Sequence, residues 1–164
     1  MKRLLLIVFF LLPFSTVADD VLTLEWLDLI PENERATYGE RMASGAIATH
    51  DESSSLAAQQ SLVGSVREEL NGSHVRIPGF VIPLEGDNKM VTEFLLVPFF
   101  GACIHVPPPP PNQIVYVKFE QGVPIQQLWD VVYVNGTLTT TAVDHDLAQA
   151  GYLIEGIQIE EYSY

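Results

Sequence analysis

The sequence predicts a mainly β protein of the α+β class: a small Greek-key barrel of five to six strands, preceded by helices and with a short helix before the last strand. Three observations favour this fold. Short runs of β-forming residues alternate with turn residues from residue 73 onward. Asn135 and Gly136 form the strongest short hairpin signal. Removal of a leader of 18 residues from the 164 would leave 164 − 18 = 146, which is enough for one domain with a core and too few for two. Hairpin connectivity favours a barrel resembling an oligonucleotide/oligosaccharide-binding (OB) fold, with a sandwich as the alternative.

The first 18 residues read as a secretory signal peptide. Lys2 and Arg3 precede an apolar run over residues 4–14, and small residues follow up to Ala18. The run is too short to cross a hydrocarbon core of about 30 Å. We therefore expect export to the periplasm with cleavage near Ala18, and no membrane insertion afterwards.

Residues 19–72 predict an N-terminal helical segment with a long loop. A first amphipathic helix ends at Pro31, and its tryptophan is expected to dock on the core. The polar stretch 32–55 predicts a surface connection. A second helix, capped by serines, ends at Asn71 and Gly72. The apolar residues of the two helices are Leu22, Trp26, Leu29 and Ile30 in the first, and Leu56, Val63, Val66 and Leu70 in the second.

Residues 73–164 predict the barrel domain. An extended run over 74–82 includes Pro78, and further strands are expected over 90–97 and 113–119. Residues 129–134 and 137–141 would flank the Asn135 and Gly136 turn. A short helix over 144–150 is expected to stop at Gly151, before a last strand over 152–159.

The charge of the chain excludes one class of partner. Its formal net charge is −13, with 21 acidic against 8 basic side chains. Such a balance repels nucleic-acid phosphates and anionic lipid head groups, so we expect no nucleic-acid partner. It is compatible with attracting cations, although acidity also simply keeps an exported protein soluble.

The most informative segment joins the only cysteine to a proline run. In an extended segment Cys103 and His105 point to the same side, and a thiolate with an imidazole suits zinc or copper. An unpaired cysteine in an oxidising compartment also needs a specific reason. A zinc site needs further ligands, and His145 is the first candidate. The other candidates are Asp144, His74 and His50. Zinc is preferred because it accepts mixed sulfur, nitrogen and carboxylate ligands without redox chemistry.

Other interpretations of this segment stay open. Cys103 can be an inert core residue, with the five prolines strapping the barrel mouth. It can be a nucleophile with His145 as base and Asn112 or Gln113 as oxyanion donor, although no local signature of a cysteine hydrolase is present. The polyproline II stretch can dock in a partner's aromatic groove, and the barrel can bind a glycan or peptide on its strand face.

Residues 101–113, Gly-Ala-Cys-Ile-His-Val-Pro-Pro-Pro-Pro-Pro-Asn-Gln, closely resemble the signature of a family of small exported bacterial proteins known only as a domain of unknown function. Residues 26–31 are similar to that family's N-terminal element. The resemblance implies an exported protein, and some members lie near transporter systems linked to zinc supply. We therefore expect an accessory role in metal transport or homeostasis: holding, delivering or sensing zinc for a membrane transporter component.

Overall fold

The structure, a computed structural model, describes residues 20–43, 60–102, 108–124 and 131–162. The predicted signal peptide lies outside these ranges, as do His50, Cys103, His105 and Trp129. Within the described ranges, no helix is long and apolar enough to cross a membrane.

Five strands close into a barrel: β2 (Ser73–Gly86), β3 (Met90–Val97), β4 (Val115–Pro124), β5 (Val132–Thr139) and β8 (Tyr152–Glu161). Their order is β2-β3-β4-β8-β5, and β5 pairs back onto β2. The β4–β8 pairing is parallel, and the other four are antiparallel. This closed Greek-key arrangement confirms the predicted small barrel.

The barrel interior is filled by inward-facing side chains from all five strands. β5 alternates strictly, with Val132, Val134 and Leu138 buried and their neighbours part-exposed. Phe94 of β3 stacks on Phe119 of β4 inside the barrel, with ring centroids 6.0 Å apart. Alternation of this kind follows from the two-residue period of a strand. We call this interior packing the inner core.

A second apolar cluster lies on the outer face of β3 and β4. Leu95 and Tyr116 belong to it, whereas their neighbours along the strands face the inner core. A small hairpin, β6 (Val143–Asp144) and β7 (Gln149–Ala150), covers this face with Ala148 and Ala150. We call this packing the outer cluster. Its fully or mostly buried members are Ile82, Leu95, Val97, Ala102, Ile114, Tyr116, Ala148 and Ala150.

The N-terminal segment differs from the prediction. Instead of one helix before Pro31, a two-residue strand β1 (Leu22–Thr23) runs parallel to β2, and a 3-10 helix follows over Trp26–Leu29. As expected, Trp26 docks on the core, and its indole Nε1 donates to the Pro78 carbonyl over 2.8 Å.

A helix also occupies part of the predicted loop. α1 (Glu32–Ala43) begins directly after Pro31, so this proline precedes a helix instead of closing one. Proline is well placed there because the first helical turn needs no N–H from it. Two glutamates in the first turn and Arg41 in the last suit the helix dipole.

The predicted second helix is absent from its described part. Residues 60–67 are irregular, and only Glu68–Leu70 form a 3-10 turn. Gly64 has φ +147°, which no right-handed helix allows. The periodicity of Val63, Val66 and Leu70 was therefore misleading: Val63 is 58% exposed, whereas Leu70 is buried.

Asn135 and Gly136 make no hairpin turn, and β5 runs straight through them. Gly136 is needed for close approach instead, because a Cβ there would collide with the Glu155 carbonyl of β8. The Asn135 side chain donates to the Glu160 carboxylate over 3.1 Å. Cross-strand packing therefore outweighs the local turn preference.

The predicted helix over 144–150 is wrong, because these residues form the β6–β7 hairpin. Ala148 and Ala150 are spaced two apart and both face the outer cluster, which is a strand spacing. The predicted strand over 90–97 is confirmed as β3, and the last strand as β8. The third strand starts at Val115, since Gln113 ends a 3-10 turn over Pro111–Gln113.

Candidate functional site

The segment 101–113 lies against the β6–β7 hairpin on both sides of its undescribed part. Cys103 and His105 fall in residues 103–107, which lie outside the described residues. On the N-terminal side, Ala102 is fully buried in the outer cluster together with Ala148 and Ala150. Ala102, the last described residue before position 103, therefore belongs to the same cluster as the hairpin.

The C-terminal side is tied to the same hairpin by hydrogen bonds. Gln60 Nε2 donates to the carbonyls of Pro109 over 2.9 Å and Gln149 over 2.8 Å. The Gln149 backbone N–H donates back to Gln60 Oε1 over 2.7 Å. The Gly151 N–H donates to the Pro111 carbonyl over 2.7 Å. Because prolines donate no backbone hydrogen bond, the backbone hydrogen bonds of Pro109 and Pro111 are all made through their carbonyl groups.

The hairpin carries Asp144 and His145. The His145 imidazole Nδ1 accepts from the Leu147 N–H over 3.2 Å, and its ring centroid lies 6.5 Å from that of Tyr116. Asp144 Oδ1 accepts from Gln149 Nε2 over 2.6 Å. The structure thus places His145 at the turn of the hairpin, directly beside the outer face of β4.

Three interacting side chains lie next to His145: Glu93 of β3, and Tyr116 and Lys118 of β4. We call them the charged triad. The Glu93 carboxylate accepts from the Tyr116 hydroxyl and forms an ion pair with Lys118 Nζ at 3.2 Å. The Tyr116 bond is the largest cause holding the pKa of Glu93 below its usual value, with smaller contributions from the Lys118 and His145 charges. Burial, then the Glu93 interaction, raises the pKa of Tyr116 to about 12.

The triad lies on the outer face of β3 and β4, which are the second and third strands of the five-stranded barrel. Sequence reasoning missed Glu93 and Lys118. Their pairing depends on the β3–β4 register, in which these two residues are directly opposite, and no local pattern displays that register.

The other predicted metal ligands are dispersed or undescribed. His74 lies on β2 opposite Thr137 of β5, and the structure brings only Asp144 and His145 together on the hairpin. In the described ranges, no group of three or more His, Cys, Asp or Glu side chains is arranged to hold a metal ion. Cys103, His105 and His50 lie outside the described residues.

Asn112 and Gln113 are the two buried polar residues of the described chain. Gln113 Nε2 donates to the carbonyls of Trp26 over 2.9 Å and Asn112 over 2.8 Å, which uses both of its N–H groups. Gln113 is therefore not available as an oxyanion donor. It fastens the N-terminal segment to the barrel instead, alongside Tyr152, whose hydroxyl donates to the Leu29 carbonyl over 2.7 Å.

The fold and this face define a small closed Greek-key barrel with a charged, hairpin-flanked outer surface. The model of DUF3299, a family of proteins of unknown function, matches residues 26–161, and the chain belongs to that family. The crystal structure of a DUF3299 family protein from Pseudomonas aeruginosa PAO1 is similar, with 37% identity and a TM-score of 0.70. The match covers 88% of this chain and 98% of that one. A search of curated proteins finds no match.

Proposed function

We propose that this protein is exported to the periplasm and binds a transition metal, preferably zinc, through Cys103 and His105 with His145 as the third ligand. In this proposal residues 101–113 are the family signature, and the protein is an accessory to metal transport or homeostasis, working with a membrane transporter component. A sulfur and two imidazole nitrogens suit zinc, with a fourth position left for a carboxylate, water or partner group.

One observation carries the proposal: of the two described flanks of residues 103–107, one shares a buried cluster with the hairpin that holds His145 and the other is hydrogen-bonded to it through Gln60. Ala102 shares the outer cluster with Ala148, and Pro109 is joined to Gln149 through Gln60. Few residues separate Ala102 from Pro108, so the intervening segment has a limited reach of about 3.4 Å per residue. The geometry therefore favours His145 over His74 as the partner of Cys103 and His105.

The electrostatics around the hairpin also suit a cation. His145 is flanked by Asp144 and Asp146 in the sequence, and the Glu93 carboxylate is close enough for His145 to lower its pKa. Carboxylates of this kind either complete a zinc shell or orient its imidazole ligands.

The proposal has a specific consequence for the His145 ring. Zinc binds a lone pair of the neutral imidazole, so coordination through Nε2 leaves the ring proton on Nδ1. Nδ1 then no longer accepts from the Leu147 N–H. Metal binding should therefore shift the Leu147 amide resonance, and removing the metal should restore it.

The decisive experiment is metal analysis by mass spectrometry on untagged protein purified from the periplasm. Wild type should contain near-stoichiometric zinc, and its Cys103 thiol should react with a maleimide only after chelation. Cys103→Ser, His105→Ala and His145→Ala should each lose metal while keeping the wild-type circular dichroism spectrum. His74→Ala is the matched control and should keep the metal.

Each alternative result has a clear meaning. Metal-free wild type with a thiol unreactive until denaturation would make Cys103 a core residue and end the metal proposal. A metal-free, freely reactive thiol would favour the nucleophile interpretation. Metal loss in His74→Ala but not in His145→Ala would move the third ligand to β2. Intact mass of the purified protein tests export, because cleavage near Ala18 removes the first 18 residues.

A further inference from the structure

A cavity of about 200 Å³ lies between α1 and residues 63–65, with Asn112 in its wall. Its volume is about that of seven water molecules in the liquid, which is room for a small organic molecule. The metal proposal uses none of its lining residues. Asn112 nevertheless belongs to the same 101–113 segment, as the first residue after the proline run.

The Asn112 amide has an unused hydrogen-bond acceptor. The residue is only 2% exposed, and its Nδ2 donates to the Ser65 carbonyl over 3.0 Å. Its Oδ1 is buried and has no hydrogen-bond partner in the described structure. Buried amide oxygens are normally paired, so this atom needs a donor that the described residues do not supply.

Gly64 controls access to this amide. A Cβ on Gly64 would lie 2.6 Å from Asn112 Nδ2 and 2.9 Å from Oδ1, so the glycine packs directly against the amide. Ser65 is held on both sides: its carbonyl accepts from Asn112 Nδ2, and its N–H donates to the Glu34 carboxylate of α1 over 3.0 Å. Because Oδ1 is buried behind Gly64, a donor in the cavity reaches it only if residues 63–65 shift outward.

The charges that line the cavity are of both signs. The Glu34 carboxylate and the Arg41 guanidinium both contribute to the wall, and Arg41 helps to lower the pKa of Glu34, after the larger effect of the Ser65 bonds. Ile30, Tyr38 and Val63 supply apolar surface. A ligand that is only a cation would be repelled by Arg41, and one that is only an anion would be repelled by Glu34. A zwitterion can place its positive group towards Glu34 and its negative group towards Arg41.

We propose that this cavity binds a small zwitterion of the free amino-acid class. The ammonium group donates to Asn112 Oδ1 and faces Glu34, the carboxylate faces Arg41, and the apolar side chain packs on Tyr38. The proposal is independent of metal binding, because the two sites share no residue.

The test is a nuclear magnetic resonance titration of the labelled protein with each of the twenty L-amino acids. L-Leucine, which has an apolar side chain, should shift the Asn112 side-chain amide and the Gly64 backbone amide saturably at millimolar concentration or below. Isoamylamine and 4-methylpentanoate, which lack the carboxylate and the ammonium group respectively, should bind at least tenfold more weakly than leucine.

Variants separate the cavity from nonspecific binding. Gly64→Ala places a methyl group on the Asn112 amide and should weaken leucine binding at least tenfold. Gly39→Ala on the same helix as Glu34 meets nothing within 4 Å and should bind as wild type. Arg41→Gln should also weaken binding, and it provides the test if Gly64→Ala fails to fold.

Two results would overturn the proposal. One is the absence of saturable shifts with all twenty amino acids, which would leave Oδ1 to a trapped water. The other is an affinity that does not depend on the carboxylate. Leucine and isoamylamine would then bind wild type equally well, or leucine would bind wild type and Arg41→Gln equally well, and recognition of a zwitterion would be excluded.

Discussion

The two faces of β3 and β4 are both buried, but different elements cover them. On the inner side, Phe94 and Val117 meet residues of the other barrel strands across a closed interior. On the outer side, Leu95 and Tyr116 are covered by the β6–β7 hairpin and by Ala102. The inner face is enclosed by five mutually paired strands, whereas the outer face is covered by one two-stranded hairpin and the 101–113 segment. We therefore expect core packing on the inner face to contribute most to the free energy of unfolding. The polar and charged side chains of these strands, such as Glu93 and Lys118, lie on the outer face.

The largest expected effect is on the free energy of unfolding, when one large side chain is truncated on each of these two faces. Phe94→Ala removes a fully buried ring stacked on Phe119 and should lower the free energy of unfolding by about 3–5 kcal/mol. Leu95→Ala, its neighbour on the outer face, should cost about 2 kcal/mol because the hairpin above it can settle into the space. Urea unfolding followed by tryptophan fluorescence measures both. Equal losses would show that the outer cover is as rigid as the barrel.

A smaller effect is expected where the hairpin is fastened. Gln60→Ala removes three side-chain hydrogen bonds that join the proline run to β7, and should cost about 2 kcal/mol. Hydrogen exchange at the Gln149 amide should accelerate while inner-core amides keep their protection. The exposed Gln158→Ala on β8 is the control and should change neither quantity. Uniform acceleration in Gln60→Ala would mean that hairpin and barrel open together.

The smallest effect concerns the charged triad. Tyr116→Phe removes the hydroxyl that donates to Glu93 and should cost about 1–2 kcal/mol near neutral pH. The folded-state pKa of Glu93 is lowered, so its contribution holds above pH 4.5 and is lost as the pH falls through the folded value. The pKa of Tyr116 is raised to about 12, so its contribution holds below pH 10 and is lost as the pH rises towards 12.

The difference in unfolding free energy between wild type and Tyr116→Phe should therefore be greatest between pH 4.5 and 10 and narrow on both sides. Urea titrations across this range measure it. A difference independent of pH would contradict the coupling of these two groups.

The sequence predicted the inner face better than the outer one. Alternation along β5 is a local property, so residues such as Val132 and Val134 could be assigned to a barrel core. The outer cluster depends on where a distant hairpin packs, and residues 144–150 gave no local sign of that. Asn135 and Gly136 show the same limit, since a strong turn signal is overridden by close approach to Glu155.

The candidate site divides in a similar way. The residue types of Cys103, His105 and His145 indicated metal chemistry from the sequence alone, and that prediction remains untested. The Glu93–Lys118 pair and the buried Oδ1 of Asn112 depend on strand register and on packing against Gly64. Such contacts between distant parts of the chain leave no signal in a single sequence.

The backbone hydrogen bonding of the described prolines also bears on aggregation. Pro109, Pro110 and Pro111 each have a carbonyl that accepts a hydrogen bond from elsewhere in the same chain. None of them has an N–H to offer to a strand of another molecule. The run therefore covers part of the barrel surface as a segment that a second chain cannot extend by edge-to-edge pairing.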